Sequence, residues 1–359
     1  MKEPSGADLK SGTAGVSPRR AGPVIVSAAD NGYAMPLAVM LRSLGANLRG
    51  SEGATVYVLD GGIRPRNRRK VVASLVDCRL ALRWVRPSHD AIADCPVSGH
   101  IPLSSYYKLL IPELLPHAVT KSVYIDADTV VLGDITELWE ADMGGAPLMA
   151  VQNMDKLISS PDGVVRYREL GLPAEAKYLN AGVLVMDVAA WRQANLTGAV
   201  LDYLAENRAY VVYHDQDGIN AVLAGRWREL DARWNYRVNC FRDGGGRAAA
   251  AVVAEIRNRA SIVHYASRRK PWDFYAVHPG KALFFEYLDQ TAWAGWRPSA
   301  PLRDRISNVH FYGALFRRIP VFGAAWSRMR GRGQEQRAKG KERRANGGEP
   351  RVKRADVSE

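Results

Sequence analysis

The sequence predicts an α/β fold built on a mainly parallel, Rossmann-like sheet, and two observations support this. Short β-branched segments alternate with amphipathic helical segments from Val24 onward, as in βαβ units whose parallel strands are covered by helices. Polar residues also collect where several of these strands end. Because ligands of such sheets bind beyond the carboxyl ends of the strands, we expect a binding cleft along that edge.

The predicted elements follow one another in a regular order. The strands are 24–26, 55–59, 80–85, 123–125, 148–151, 181–186 and 261–265. The helices are 35–48, 65–75, 104–115, 194–207 and one that begins near Gly218. In the first helix, Leu37, Leu41 and Leu44 have the spacing of one buried face. The stretch 153–178 is predicted to be a charged, helical insert between two strands.

Composition indicates one folded domain with basic ends. The chain has 359 residues, 47% of them hydrophobic, and a net charge of +13, most of which lies after Phe316. We predict a disordered leader over 1–21, a folded domain over 22–290, an aromatic and basic segment over 291–327 and a disordered basic tail over 328–359. The three cysteines form no metal-binding pattern, and no signal peptide or membrane-spanning run is visible. We therefore expect a cytoplasmic protein.

Two carboxylates one residue apart follow the fourth strand. Val123 and Ile125 predict a buried strand that ends where Asp126 and Asp128 begin. Side chains two residues apart on an extended backbone point the same way, so the two acids can share a divalent cation such as Mg²⁺ or Mn²⁺. His264 ends a later strand and supplies a candidate third ligand.

Other polar groups also lie at strand ends. Lys270 suits a diphosphate, because an ammonium beside a metal neutralises charge on a leaving phosphate. Asp30 is placed to accept from a pyrimidine N–H and Tyr33 to stack on a base, although Asp30 equally suits a helix cap. The residues 180–182 allow close approach of a backbone to a ligand, or form a turn before a core strand. The residues 214–217 suit either a ligand site or a helix N-cap cluster.

Taken together, these segments resemble glycosyltransferase family 8, the retaining sugar transferases of the GT-A fold, and especially bacterial lipopolysaccharide galactosyl- and glucosyltransferases. The resemblance runs from about Val24 to Trp272. Its motifs, in chain order, are Ala28-Ala29-Asp30 with Tyr33, Tyr106-Tyr107-Lys108-Leu109, Tyr124-Ile125-Asp126-Ala127-Asp128, Asn180-Ala181-Gly182-Val183, Asp215-Gln216-Asp217 with Asn220, and His264-Tyr265 followed by Lys270-Pro271-Trp272.

The resemblance implies a UDP-sugar donor, and it divides the site residues into three groups. The uridine group is Ala28, Ala29, Asp30 and Tyr33. The metal group, which would hold Mn²⁺ or alternatively Mg²⁺ on the diphosphate, is Asp126, Asp128 and His264. The remaining donor contacts are Lys108, Asn153, Asn180, Ala181, Gly182, Ser267 and Lys270, with Asp215 and Gln216 as the catalytic pair. Gln216 would lie beneath the anomeric carbon.

Three positions depart from the family pattern, and none of them is a metal ligand. Lys108 stands where the family usually has Arg, which replaces a planar fork by a point charge. Ser267 stands near a Gly of the family, and Asn153 stands where Asp is common. Asn in place of Asp at position 153 removes a negative charge beside the expected sugar.

The predicted function is retaining transfer of galactose or glucose from a UDP-sugar to a saccharide hydroxyl, in lipopolysaccharide or other cell-surface glycan synthesis. A sugar-phosphate nucleotidyltransferase is the alternative on the same fold, but that class usually has a Gly-rich, basic loop after the first strand. Residues 311–322 interleave aromatics with arginines, which favours peripheral binding to an anionic inner membrane and a glycolipid acceptor. A solvated tail or a nucleic-acid-binding tail are the alternatives. Nucleic acid would not explain the strand ends, and we expect none as a partner.

Overall fold

The computed structural model describes residues 22–96, 103–238, 249–276, 278 and 280–299. The strands are β1 Val24–Ala29, β2 Ala54–Asp60, β3 Leu80–Val85, β4 Lys121–Ile125, β5 Thr129–Val131, β6 Leu148–Leu157, β7 Lys177–Asp187, β8 Arg228–Glu229, β9 Tyr236–Arg237 and β10 Ile262–His264. The α-helices are α1 Ala34–Asn47, α2 Pro65–Ala73, α3 Ile111–Leu114, α4 Ile135–Glu140, α5 Val188–Gln193, α6 Leu196–Glu206, α7 Asp215–Leu223, α8 Ala249–Arg259 and α9 Lys281–Leu288.

Seven strands form one sheet, and this confirms the predicted α/β class. The strand order is β3-β2-β1-β4-β7-β6-β8. In the part β3-β2-β1-β4 each strand is parallel to the next, while β7 runs antiparallel to both β4 and β6. A second sheet has the order β5-β10-β9, in which β10 is antiparallel to β5 and parallel to β9. It carries His264 to the end of β4.

The large sheet separates two apolar cores. Val123 and Ile125 of β4 belong to the core that includes α1 and α2. Tyr124, between them, belongs to the opposite core together with Leu109 and Trp191. Because both faces of β4 are covered, the strand appears in the sequence as a continuous apolar run.

Two predicted helices are wrong in detail. The segment 104–115 is mostly a 3₁₀ helix, Leu103–Leu110, followed by one short α-helical turn in α3. Leu115 is extended because it precedes Pro116, which disfavours helical backbone at the residue before it. The insert 153–178 is not helical. Strand β6 runs to Leu157 and turns follow as far as β7, in a stretch interrupted by proline and glycine.

The described residues up to Arg297 belong to one compact unit, and a second unit, Pro298–Glu359, lies almost wholly outside the description. The predicted leader over 1–21, the tail over 328–359 and most of the segment 291–327 therefore lie outside the described residues. Within the described part, no helix has the length and apolar character needed to cross a membrane. Cys78 and Cys95 are free thiols, and Cys240 falls outside the description.

Candidate active site

A cleft of about 600 Å³ opens at the carboxyl ends of β1 and β4. Every predicted site residue lines it. The set consists of Ala28, Ala29, Asp30, Tyr33, Lys108, Asp126, Asp128, Asn153, Asn180, Ala181, Gly182, Asp215, Gln216, His264, Ser267 and Lys270. The parallel strands account for this convergence, since their carboxyl ends meet at one edge of the sheet.

Asp126, Asp128 and His264 form a compact group of potential metal ligands. Their nearest ligand atoms all lie within 4.8 Å of one another. His264 Nε2 is 3.5 Å from Asp128 Oδ1 and 3.8 Å from Asp126 Oδ2. A backbone hydrogen bond from Tyr265 N to Asp128 O, 3.0 Å, holds β10 against the loop that carries the two acids. Two carboxylates and one imidazole are a donor set that suits a divalent cation.

A chain of amides fixes which nitrogen of His264 faces the carboxylates. The Gly182 N–H donates to Asn180 Oδ1 at 3.0 Å, and Asn235 Nδ2 donates to the same oxygen at 2.8 Å. Asn235 Oδ1 must then accept from His264 Nδ1, 2.8 Å away. His264 Nε2 is thereby turned toward the acids. An outer hydrogen bond at the other ring nitrogen commonly orients a ligating histidine in this way.

Gly182 is needed because nothing larger fits beside these ligands. A Cβ atom at Gly182 would lie 2.7 Å from His264 Nδ1 and 3.0 Å from Asp126 Oδ2, and it would clash with His264 Cε1. The predicted role of the small residues at 181–182, close approach of the backbone, therefore applies first to the potential metal ligands Asp126 and His264.

Lys108 is a buried cation that joins two acids of the cleft. Its ammonium lies 2.9 Å from Asp215 Oδ2, 3.5 Å from Asp126 Oδ1 and 3.1 Å from the Ala181 carbonyl oxygen. Burial acts to lower the pKa of Lys108, but Asp126 and Asp215 outweigh it and raise that pKa above the usual value. Burial also raises the pKa of Asp215, against the effect of Lys108. Lys108 thus neutralises a carboxylate cluster where a direct donor contact was predicted.

Lys270 and the aromatic residues near it close the other side of the metal group. The Lys270 ammonium is 2.6 Å from Asp128 Oδ2. Burial would raise the pKa of Asp128, but Lys270 and His264 lower it below its usual value. Tyr33 packs edge-on against Trp272 with 5.8 Å between ring centroids. The cation and the aromatic pair therefore flank the metal group.

Asp30 shapes the turn before α1. Its Oδ1 accepts from the backbone N–H groups of Gly32, at 2.8 Å, and Tyr33, at 3.0 Å. Helix α1 begins at Ala34 after Tyr33, without a side-chain cap. The alternative in which Asp30 caps the helix directly is therefore replaced by a side-chain-closed turn.

The polar cluster at 214–217 lies at the N-terminus of α7. His214 is the residue before the helix, and 215–217 form its first turn. Gln216 Oε1 accepts from the Ala181 N–H at 3.0 Å, and its Nε2 lies 3.3 Å from the Tyr178 hydroxyl. Asp217 accepts from Tyr178 OH and from the N–H groups of Val212 and Tyr213, so it is a structural carboxylate. His214 has φ 56°, a strained backbone of the kind that clusters at functional sites.

Three residues of the site were not predicted. Asn235 orients His264, and Arg237 lines the cleft with its guanidinium hydrogen-bonded to Asn153 Oδ1. Both belong to the segment around β9, which carries no strong strand pattern. Tyr124 donates to Asp126 Oδ1 at 2.6 Å. Here a signal was present, because Tyr124 lies two residues before Asp126 and so on the same face of the strand.

The fold and this cleft define a glycosyltransferase of the GT-A type. The model of the family described as Glycosyl transferase family 8 matches residues 24–276, and the chain belongs to this family. The resemblance seen in the sequence is thereby confirmed.

Relatives and solved structures agree with this assignment. The chain is 30% identical over 275 residues to general stress protein A of Bacillus subtilis, covering 75% of this chain and 94% of that protein. It is 25% identical to the lipopolysaccharide 1,2-glucosyltransferase of Escherichia coli, over 65% of this chain and 67% of that one. The galactosyltransferase LgtC, solved with donor and acceptor sugar analogues, superposes with a TM-score of 0.63 at 26% identity, over 79% of this chain and 99% of LgtC.

Proposed function

We propose that this protein is a retaining hexosyltransferase that moves galactose or glucose from a UDP-sugar to a saccharide hydroxyl in cell-surface glycan synthesis. The observation that carries the proposal is the convergence of two carboxylates, an oriented histidine and a lysine in one cleft that also contains Asp30 and Tyr33. A UDP-sugar has a base, a diphosphate and a sugar, for which Asp30 and Tyr33, the metal group with Lys270, and Asp215 with Gln216 are the proposed partners.

The metal group would hold Mn²⁺, with Mg²⁺ as the alternative. Asp126, Asp128 and the Nε2 of His264 are its proposed ligands. The cation, when bound, supplies positive charge to the diphosphate as the sugar–phosphate bond breaks. The donor set fits it because the hydrogen bond between Asn235 and His264 Nδ1 turns Nε2 toward the two carboxylates.

Lys270 is proposed to bind the phosphates directly. Its ammonium reaches Asp128 and the Tyr265 carbonyl oxygen, at 2.6 and 2.8 Å, so it is held at the edge of the metal group. A fixed ammonium in a site of low dielectric constant stabilises the charge that develops on departing UDP. Asp30 and Tyr33 are proposed to bind uracil, with Ala28, Ala29 and Ser267 along the cleft wall.

The catalytic step is proposed to proceed without a covalent intermediate. Gln216 is held by the Ala181 N–H and Tyr178, and its neutral amide is a poor nucleophile compared with the carboxylate that a double displacement needs. The acceptor hydroxyl would attack the face that UDP leaves, and the leaving phosphate would take the hydroxyl proton. Asp215, Asn180 and Gly182 would face the sugar.

A thermal-shift screen tests the function. With Mn²⁺ present, UDP-glucose or UDP-galactose should raise the melting temperature more than nucleoside triphosphates do, because only the UDP-sugars fill both ends of the cleft. Stabilisation by triphosphates and not by UDP-sugars would favour the nucleotidyltransferase alternative and refute the proposal.

The segment 291–327 and the basic tail are proposed to bring the enzyme to the anionic inner face of the cytoplasmic membrane, where a glycolipid acceptor lies. Flotation with anionic liposomes at two salt concentrations, compared with retention on DNA under the same conditions, tests this. Retention on DNA without flotation would refute it.

A further inference from the structure

Arg237 is a cation of the cleft with no role in the steps above. It belongs to β9 and pairs with His264 across the small sheet. Directly paired residues of neighbouring strands lie on the same face, so the arginine enters the cleft beside the metal group. Its guanidinium donates to Asn153 Oδ1 in β6. The side chain therefore reaches from the metal group toward the insert between β6 and β7.

Within the described part of the chain, no acid balances the charge of Arg237. Lys108 has Asp126 and Asp215 as partners, and Lys270 has Asp128. Among the described residues the Arg237 guanidinium donates to the neutral amide of Asn153, and no carboxylate forms an ion pair with it. Its Nε is buried without a hydrogen-bond partner. Burial lowers the pKa of Arg237, and Tyr213 opposes this effect only in part.

Such a cation favours an anionic ligand. A part-buried guanidinium costs free energy unless an anion compensates it. Its planar set of N–H donors fits the two oxygens of a carboxylate. Asn153 stands where the family commonly has Asp. This position therefore supplies no carboxylate to pair with Arg237. The diphosphate is already assigned to Lys270 and the metal group, so Arg237 is available to a different anion.

We propose that Arg237 and Asn153 select a carboxylate-bearing sugar. The carboxylate belongs either to the transferred sugar, as in a UDP-uronic acid, or to an acidic residue of the acceptor saccharide. This inference rests on the proposed UDP-sugar-dependent transfer. If the carboxylate belongs to the donor, a uronic acid takes the place of galactose or glucose as the transferred sugar; if it belongs to the acceptor, the proposed donor is unchanged.

Calorimetry with Mn²⁺ tests the donor source. UDP, UDP-glucose and UDP-glucuronic acid, and the corresponding galactose pair, are titrated into the wild type and Arg237→Gln. We expect the uronic acid donors to bind more tightly than the neutral ones, and Arg237→Gln to weaken them by about tenfold or more, as for loss of a hydrogen bond between charged groups. The affinity for UDP should stay within about twofold.

Transfer assays test the acceptor source. If neutral donors bind as well as acidic ones, uronate-containing oligosaccharides should accept the sugar with a lower KM than their neutral counterparts, and Arg237→Gln should remove that difference in KM. Either result, in donor or acceptor, supports the inference and identifies the source of the carboxylate.

A second variant tests the same charge from the other side. Asn153→Asp places a carboxylate against Arg237 and should abolish the preference for the acidic sugar, while Arg237→Lys should retain part of it. Arg66→Gln, an exposed arginine on α2 outside the cleft, controls for the lost net charge and should change nothing.

Three results would overturn the inference. They are an absence of preference for acidic sugars on both sides, a preference that survives both Arg237→Gln and Asn153→Asp, and an equal loss of affinity for UDP itself in Arg237→Gln, which would place the guanidinium on the diphosphate. If the wild type bound no UDP compound at all, the proposed function would fail and the inference with it, which is a different result from any of these three.

Discussion

Replacement of Asn235 by alanine tests whether the amide chain prepares the metal group. In the wild type, Asn235 Oδ1 accepts from His264 Nδ1 at 2.8 Å, and this bond keeps Nε2 turned toward the acids. Both side chains are buried, with 3% of Asn235 and 4% of His264 exposed. In Asn235→Ala the Nδ1–H of His264 loses its acceptor, and the hydrogen bond that orients the imidazole is lost.

The expected loss follows from these contacts. A buried donor left without a partner costs about 1–3 kcal/mol, and an imidazole that adopts the other tautomer turns a proton toward the metal. Loss of an outer hydrogen bond to a ligating histidine usually lowers metal affinity by 10–100-fold, which is about 1.4–2.7 kcal/mol. We expect Mn²⁺ affinity to fall by that factor in Asn235→Ala.

Calorimetric titration of Mn²⁺, with saturating UDP, measures this directly. Asn207→Ala is the matched control. Asn207 is also buried and hydrogen-bonded, to Tyr203 and Arg166, but it lies outside the cleft. It should lose stability without losing metal affinity. If Asn235→Ala bound Mn²⁺ within about twofold of the wild type, the argument from tautomer and orientation would be wrong.

Three further predictions follow from the site and its surroundings. Gly182→Ala should abolish stabilisation by Mn²⁺ in a thermal shift, because its methyl group would displace His264 and Asp126; an unchanged shift would refute the packing argument. Lys108→Met should lower the free energy of unfolding in urea by about 3–5 kcal/mol, because the buried Asp215 and the part-buried Asp126 lose their cation, and Lys108→Arg should recover part of it. Burial lowers the pKa of His278 from 6.5 to about 4. Between these pH values the unfolded chain binds the proton and the folded chain does not. Up to about 3 kcal/mol of stability, present above pH 6.5, should therefore be lost as the pH falls toward 4. His278→Leu should remove this contribution from the pH profile of the free energy of unfolding, and a profile parallel to that of the wild type would refute it.

Much of the fold could be predicted because local patterns determine it. The buried strands β1, β2 and β4 are continuous apolar runs, and their helices have a regular apolar face. The failures have local causes too. Pro112 is tolerated in the first turn of α3 but not inside a longer α-helix, so the helix predicted over 104–115 does not run through it. Prolines and glycines prevent a helix in the insert before β7. The short strands β5 and β9 form only because β10 pairs with both, which no local pattern reveals.

The site shows the same division between local and distant information. Asp126 and Asp128 follow a strand that the sequence predicts, and parallel strand ends meet in space, so their place in the cleft was predictable. The places of Asn235 and Arg237 were not predictable, because each matters through a hydrogen bond to a residue far along the chain. Asn235 bonds to His264, and Arg237 bonds to Asn153. Even Lys108 was predicted at the right place with a different partner, since its buried contact with Asp215 depends on where α7 begins.

Asp126, Asp128 and His264 are proposed to hold a divalent cation on the diphosphate of a UDP-sugar. Calorimetric titration of UDP into the wild type and into Asp128→Ala, each with and without Mn²⁺, measures whether UDP binding depends on that cation. We expect UDP to bind tightly to the wild type only when Mn²⁺ is present, and Asp128→Ala to remove this dependence by weakening UDP binding at least about tenfold. Equal UDP affinity in all four titrations would rule out a metal bridge to the diphosphate.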